Sequence, residues 1–90
     1  MYRIAAGFIH RRIANADILV SLNVAAFIGY ITLNETCAFL LDVMKEPQTA
    51  EQLAQHLTEQ YDVTYTQALE DVKEMLHTFV AKGVVQEVTE

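Results

Sequence analysis

The chain has one cysteine, Cys37, one proline, Pro47, three glycines and no tryptophan. A lone cysteine excludes an internal disulfide. Its place on the apolar side of an expected helix reads as a small buried hydrophobe, which fits a reducing, cytoplasmic setting. Bases are scarce as well: six Lys and Arg stand against twelve Asp and Glu, a net charge of −6. Arg3, Arg11 and Arg12 fall in the first twelve residues, which hold no acid. From Ile13 onward three bases face twelve acids, a net −9. Most of the chain therefore repels a polyanion, and nucleic acid is not an expected partner. No long apolar run is present. The greasiest stretch, residues 18–31, is interrupted by Ser21 and Asn23 and is too short to span a bilayer. Arg11 and Arg12 follow the first apolar residues instead of preceding an apolar core. Neither a signal peptide nor a membrane partner is expected.

What is present suffices for one domain, residues 1–90, with 52% apolar residues and one modest core. The first third reads as β structure. Residues 8–14 (FIHRRIA) alternate around His10 and Arg12. Asn15, Ala16 and Asp17 form a turn signal. Residues 18–22 are a second strand, Asn23 opens another turn, and residues 25–33 are a third strand with Gly29 inside it. Short turns joining three strands imply an antiparallel meander.

The remainder reads as α structure. Asn34 or Thr36 caps a helix to about Lys45, and KEPQ breaks it. Thr49 opens TAEQ, a capping box for a second helix through Leu53, Ala54 and Leu57. Thr64 or Thr66 caps the longest helix, which runs to about Ala81 or Lys82 and stops at Gly83. Residues 84–88 are an apolar tail that adds a strand or a turn. The expected fold is α+β in the order βββααα, a three-stranded antiparallel sheet before three helices, in a winged helix-turn-helix-like arrangement.

Catalytic signals are missing from this pattern. His10, His56 and His77 lack metal-ligand spacing, Cys37 has no neighbouring base, and no glycine-rich phosphate loop occurs. No enzyme activity, metal or cofactor is expected. A winged helix raises the alternative of a DNA-binding regulator, but the third helix sets Glu70, Asp71 and Glu74 against Gln67, Lys73 and Lys82.

Two apolar excesses point to a binding module instead. In the third strand Phe27, Gly29, Ile31 and Leu33 face one way, and Ala26, Ile28, Tyr30 and Thr32 face the other. A strand greasy on both faces is either covered by its own fold or is an edge that a partner covers. In the third helix the apolar arc spans about 140°, wider than the ~100° that one core requires. Ala68, Val72, Met75 and Phe79 can face the core. Leu69, Leu76 and Val80, with Lys73 on the rim, either line a groove or pack on a second side of a small domain. Joined together, the excesses describe a groove for an extended peptide: Ala26, Phe27, Ile28, Gly29, Tyr30 and Ile31 on the strand, Leu69, Val72, Lys73, Leu76 and Val80 on the helix. The same edge could instead pair with a second copy, giving a homodimer.

The segments LNETCAFLLDVM, TAEQLAQHLTEQYDV and ALEDVKEMLHTFVAKGVV together resemble the PqqD-like proteins, which recognise leader peptides of ribosomally made, post-translationally modified peptides. The Leu-Asn-x-(Thr/Ser)-Ala opening of the first helix corresponds to Leu33, Asn34, Thr36 and Cys37, with Cys in place of Ala. Thr49 and Leu53, then Tyr61, Asp62 and Val63, match the second helix and its exit. Asp71 and Val72, then Phe79 and Gly83, match the third helix. The resemblance implies a domain that takes a leader peptide as an added strand between the third strand and third helix. It implies delivery of that peptide to a modifying enzyme, often of the radical S-adenosylmethionine type, and no catalysis of its own. Members dedicated to pyrroloquinoline quinone synthesis carry Asp-Gly before the second helix and a Trp near the end. Here KEPQ and the missing Trp imply a general PqqD-like member whose peptide product the resemblance does not assign.

Overall fold

The structure, a computed structural model, describes residues 1–22 and 29–88. The elements run β1 (Tyr2–Ile4), β2 (Phe8–Ile13), β3 (Ala16–Ser21), β4 (Gly29–Leu33), α1 (Glu35–Val43), α2 (Ala50–Gln60), α3 (Tyr65–Ala81) and β5 (Val85–Glu87). The antiparallel sheet β2-β3-β4 precedes three helices, as the hydropathy pattern requires. A second, two-stranded ribbon pairs β1 with β5, Tyr2 opposite Glu87 and Ile4 opposite Val85. β5 realises the strand expected of the tail. β1 was not legible, because three residues carry no period to read.

The β2–β3 turn is shifted from the expected 15–17. Ala14 and Asn15 are the turn residues, both with positive φ (50° and 69°), and Ile13 pairs with Ala16. Two successive positive φ values are what a tight two-residue hairpin demands. Asp17 is thereby released into β3. The described part of the third strand begins at Gly29 opposite Ser21 and keeps regular register to Leu33 opposite Asp17. The expected strand start and turn at 23–28 lie outside the described residues.

Each helix begins at a side-chain cap. Asn34 Oδ1 accepts from the Cys37 amide at 2.7 Å. Thr49 and Gln52 form the reciprocal capping box, with both bonds at 2.9–3.0 Å. Thr64 Oγ1 accepts from the Gln67 amide at 3.2 Å. At the end of α3, Gly83 takes φ 77°, its amide donates to the Val80 carbonyl and the Val84 amide donates to the Phe79 carbonyl. This pairing is the Schellman motif, and the left-handed residue it needs is glycine.

Leu19, Leu40, Leu41, Met44, Leu53, Val72, Val84 and Val85 are the largest fully buried side chains. They come from β3, all three helices and the tail, so one core joins sheet, helices and ribbon. α1 packs on α2, β2 and β3, and α3 packs on α2 and β5. The ribbon is tied in by backbone bonds: Tyr2 exchanges two with Gln48 (2.7 and 2.8 Å), and the Ile4 amide donates to the Met44 carbonyl at 3.0 Å. Among the described residues no helix is long and apolar enough to cross a membrane.

Candidate functional site

Side chains of β4 alternate as a half-covered strand should. Ile31 is half-buried and Leu33 buried, whereas Tyr30 is 68% exposed and Thr32 exposed. Among the described residues β3 is the only strand paired with β4, so the opposite edge of β4 carries no strand. The tail does not occupy that edge, because Val85–Glu87 is committed to β1.

Where β4 ends, Asn34 turns the chain into α1, and a cleft of about 330 Å³ opens between the start of α1 and the middle of α3. Cys37, Leu40, Met75 and Phe79 give it an apolar floor. Asn34, Thr36 and Thr78 supply hydrogen-bonding groups, and Asp71 and Glu74 supply negative charge. Burial pushes the Cys37 thiol pKa up, with the Asn34 side chain opposing it, so the thiol stays protonated and weakly nucleophilic at neutral pH. An apolar floor with a few polar groups at the rim suits capture of a side chain rather than bond-making chemistry. Among the described residues no group of three or more His, Cys, Asp or Glu is placed to hold a metal.

None of the helix residues expected at the groove, Leu69, Val72, Lys73, Leu76 and Val80, lines this cleft. Val72 is fully buried and Leu76 nearly so, both in the core, and Leu69 is half-buried against it. Lys73, Leu76 and Val80 line a separate hollow of about 540 Å³ with Tyr2, Ala50 and Glu87, on the side of the β1–β5 ribbon. On this flank of α3 Leu76 is buried, while Val80 stays 41% exposed over the hollow beside the ribbon. Periodicity shows that an arc is apolar but not what meets it. The flank of α3 at the end of β4 is the one bearing Asp71, Glu74, Met75, Thr78 and Phe79. Of the expected strand residues, Gly29, Tyr30 and Ile31 lie on β4, and Ala26, Phe27 and Ile28 lie outside the described residues.

A third hollow, about 370 Å³, is built around His10, Asp17 and Asp42. His10 Nε2 lies 2.9 Å from Asp17 Oδ1 and its Nδ1 lies 2.9 Å from Asp42 Oδ1. Arg12 and Lys45 stand at 3.7 and 4.0 Å from the same two carboxylates. This network locks β2, β3 and α1 together. The sequence offered no sign of it beyond a histidine in an alternating strand.

The family model described as "Coenzyme PQQ synthesis protein D (PqqD)" matches residues 19–85. No curated protein matches the chain by sequence. Three solved structures share the fold. "TbiB1 in Complex with the TbiA(beta) Leader Peptide" is 15% identical, covers 98% of this chain and 99% of its own, and gives a TM-score of 0.77. "Lasso peptide synthetase B1 complexed with the leader peptide" is 20% identical over 96% and 98%, with a TM-score of 0.75. The solution structure of the PqqD truncation of Methylobacterium extorquens PqqCD, described as a stand-alone recognition element for ribosomally synthesised and post-translationally modified peptides, is 22% identical over 96% and 88%, with a TM-score of 0.77.

Proposed function

The chain belongs to the PqqD family, and we propose that it holds the leader segment of a ribosomally made precursor peptide and presents it to a modifying enzyme. The observation that carries this reading is the edge of β4 beside the α1–α3 cleft, which no strand pairs among the described residues, while Val85–Glu87 pairs with β1. Two structures of the same fold are complexes with leader peptides, which supports the reading.

In this mode the leader lies as a further strand along β4. Its main chain exchanges hydrogen bonds with Tyr30 and its neighbours, each adding about 0.5–1.5 kcal/mol net. One apolar side chain enters the cleft onto Leu40, Met75 and Phe79, and its full burial contributes about 1.5–3 kcal/mol. The domain performs no chemistry itself. It raises the local concentration of substrate at an enzyme, for which the radical S-adenosylmethionine class is the proposal.

The test is an amide NMR titration of labelled protein with synthetic leader segments of candidate precursor peptides. Shifts are expected at 29–37 and 71–79, with 51–60 spared. A titration that leaves 29–37 and 71–79 unmoved rejects the reading. Light scattering on the free protein tests the alternative, in which a second copy takes the same edge.

A further inference from the structure

The α1–α3 cleft is charged on one side only. Asp71 and Glu74 are exposed on its wall, three residues apart on α3, and none of its lining residues is Lys, Arg or His. Two other carboxylates have cations: Asp17 has His10 and Arg12, and Asp42 has His10 and Lys45. At the cleft, Asp71 Oδ1 accepts only a neutral donor, Gln67 Nε2, at 2.9 Å. Among the described residues neither Asp71 nor Glu74 forms a salt bridge. Two carboxylates beside an apolar floor, without a base of their own, favour a guest that brings the base.

Resting on the leader-peptide reading above, we infer that the guest segment carries an apolar anchor with a lysine or arginine two positions away. The spacing follows from geometry. Residues i and i+2 of an extended chain share a face, roughly 6.6 Å apart. Asp71 on the wall and Met75 on the floor are four apart on α3, a spacing of about 5–6 Å. With the anchor over Leu40, Met75 and Phe79, the next side chain on that face reaches the Asp71–Glu74 wall. An acidic residue there meets like charge, so the cleft discriminates by repulsion as well as attraction.

A display library of random dodecapeptides, selected on the full chain and in parallel on the Asp71→Lys, Glu74→Lys double variant, tests this. Both positions are exposed, so folding should survive, and a thermal melt checks it. If the double variant does not fold, Asp71→Asn with Glu74→Gln takes its place, and the preference should vanish rather than invert. The expected result is enrichment of Lys or Arg at i±2 from an apolar residue on the wild type, and of Asp or Glu on the lysine variant. A synthetic peptide from the first pool should lose about 10-fold in affinity on the variant, and the loss should shrink in about 0.5 M salt. A maleimide adduct at Cys37, on the cleft floor, should block the selected peptides. Peptides blocked by the adduct but without charge preference overturn this inference and leave the leader reading standing. A pool indifferent to the adduct, or no enrichment at all, overturns both.

Discussion

His10 sets its Nε2 2.9 Å from the Asp17 carboxylate across the β2–β3 hairpin, while its Nδ1 meets Asp42 on α1. Register pairs His10 with Leu19 and Asp17 with Arg12, so the contact is a diagonal one on the face toward α1. Both ring nitrogens face carboxylates, an arrangement that the doubly protonated ring satisfies fully.

Stability should therefore depend on pH through His10. Burial disfavours the charged ring, but the hydrogen bonds and charges of Asp42 and Asp17 outweigh it, and the His10 pKa is raised above its usual value. A raised folded pKa means that the folded state holds the proton longer than the unfolded chain. The contribution is complete below about pH 6.5, the unfolded value, and is lost as pH rises through the folded value. Urea melts from about pH 5.5 to about pH 9 should show wild type losing stability over this window more steeply than His10→Gln. Parallel curves would show that the network does not carry the effect.

Ala14 sits at φ 50° without the freedom of glycine. Ala14→Gly should raise stability by about 0.5–1 kcal/mol, and the β-branched Ala14→Val should lower it. Thermal denaturation decides, and a destabilised glycine variant would contradict the turn geometry.

Thr49 closes the capping box of α2, away from the cleft. Thr49→Ala should cost about 1 kcal/mol of stability while leaving the affinity for a leader peptide unchanged. Denaturant titration and fluorescence anisotropy on the same variant separate the two effects.

Leu76 and Val80 test which flank of α3 meets the peptide. Leu76 is 4% exposed and Val80 is 41% exposed. Leu76→Ala should cost about 2–5 kcal/mol through a core cavity, and Val80→Ala less than about 1 kcal/mol. Neither should weaken peptide binding in the folded protein, because both face the ribbon. A large affinity loss in Val80→Ala would return the groove to that side.

Cys37 reports on the cleft directly. With its thiol pKa raised by burial, it should react with iodoacetamide more slowly than a free cysteine near neutral pH. Bound peptide should slow it further. Mass-spectrometric labelling rates follow this, and an unchanged rate in saturating peptide would place the guest elsewhere.

The residues that carried the family resemblance are mostly ones with local structural duties. Asn34 and Thr49 are helix caps, Gly83 is the helix stop, and Tyr61 packs edge-on against Phe39 at 5.8 Å. They were legible because a cap, a stop or an amphipathic period is written within a few neighbouring residues. The helix limits and the three-stranded meander followed from the same local signals.

Long-range pairing was decided only by the tertiary structure. Chain pattern alone determined that α3 is apolar over a wide arc; the fold determined that its Leu76 side lies toward the β1–β5 ribbon and that Met75 and Phe79 floor the cleft. Asn15 and Asp17 both read as turn residues, but the tight turn at Ala14 and Asn15 leaves Asp17 in β3, where its carboxylate meets a histidine seven positions back. Local sequence sets which backbone conformations are cheap. Which surfaces then meet depends on contacts between residues as far apart as Tyr2 and Glu87, and no short window contains both.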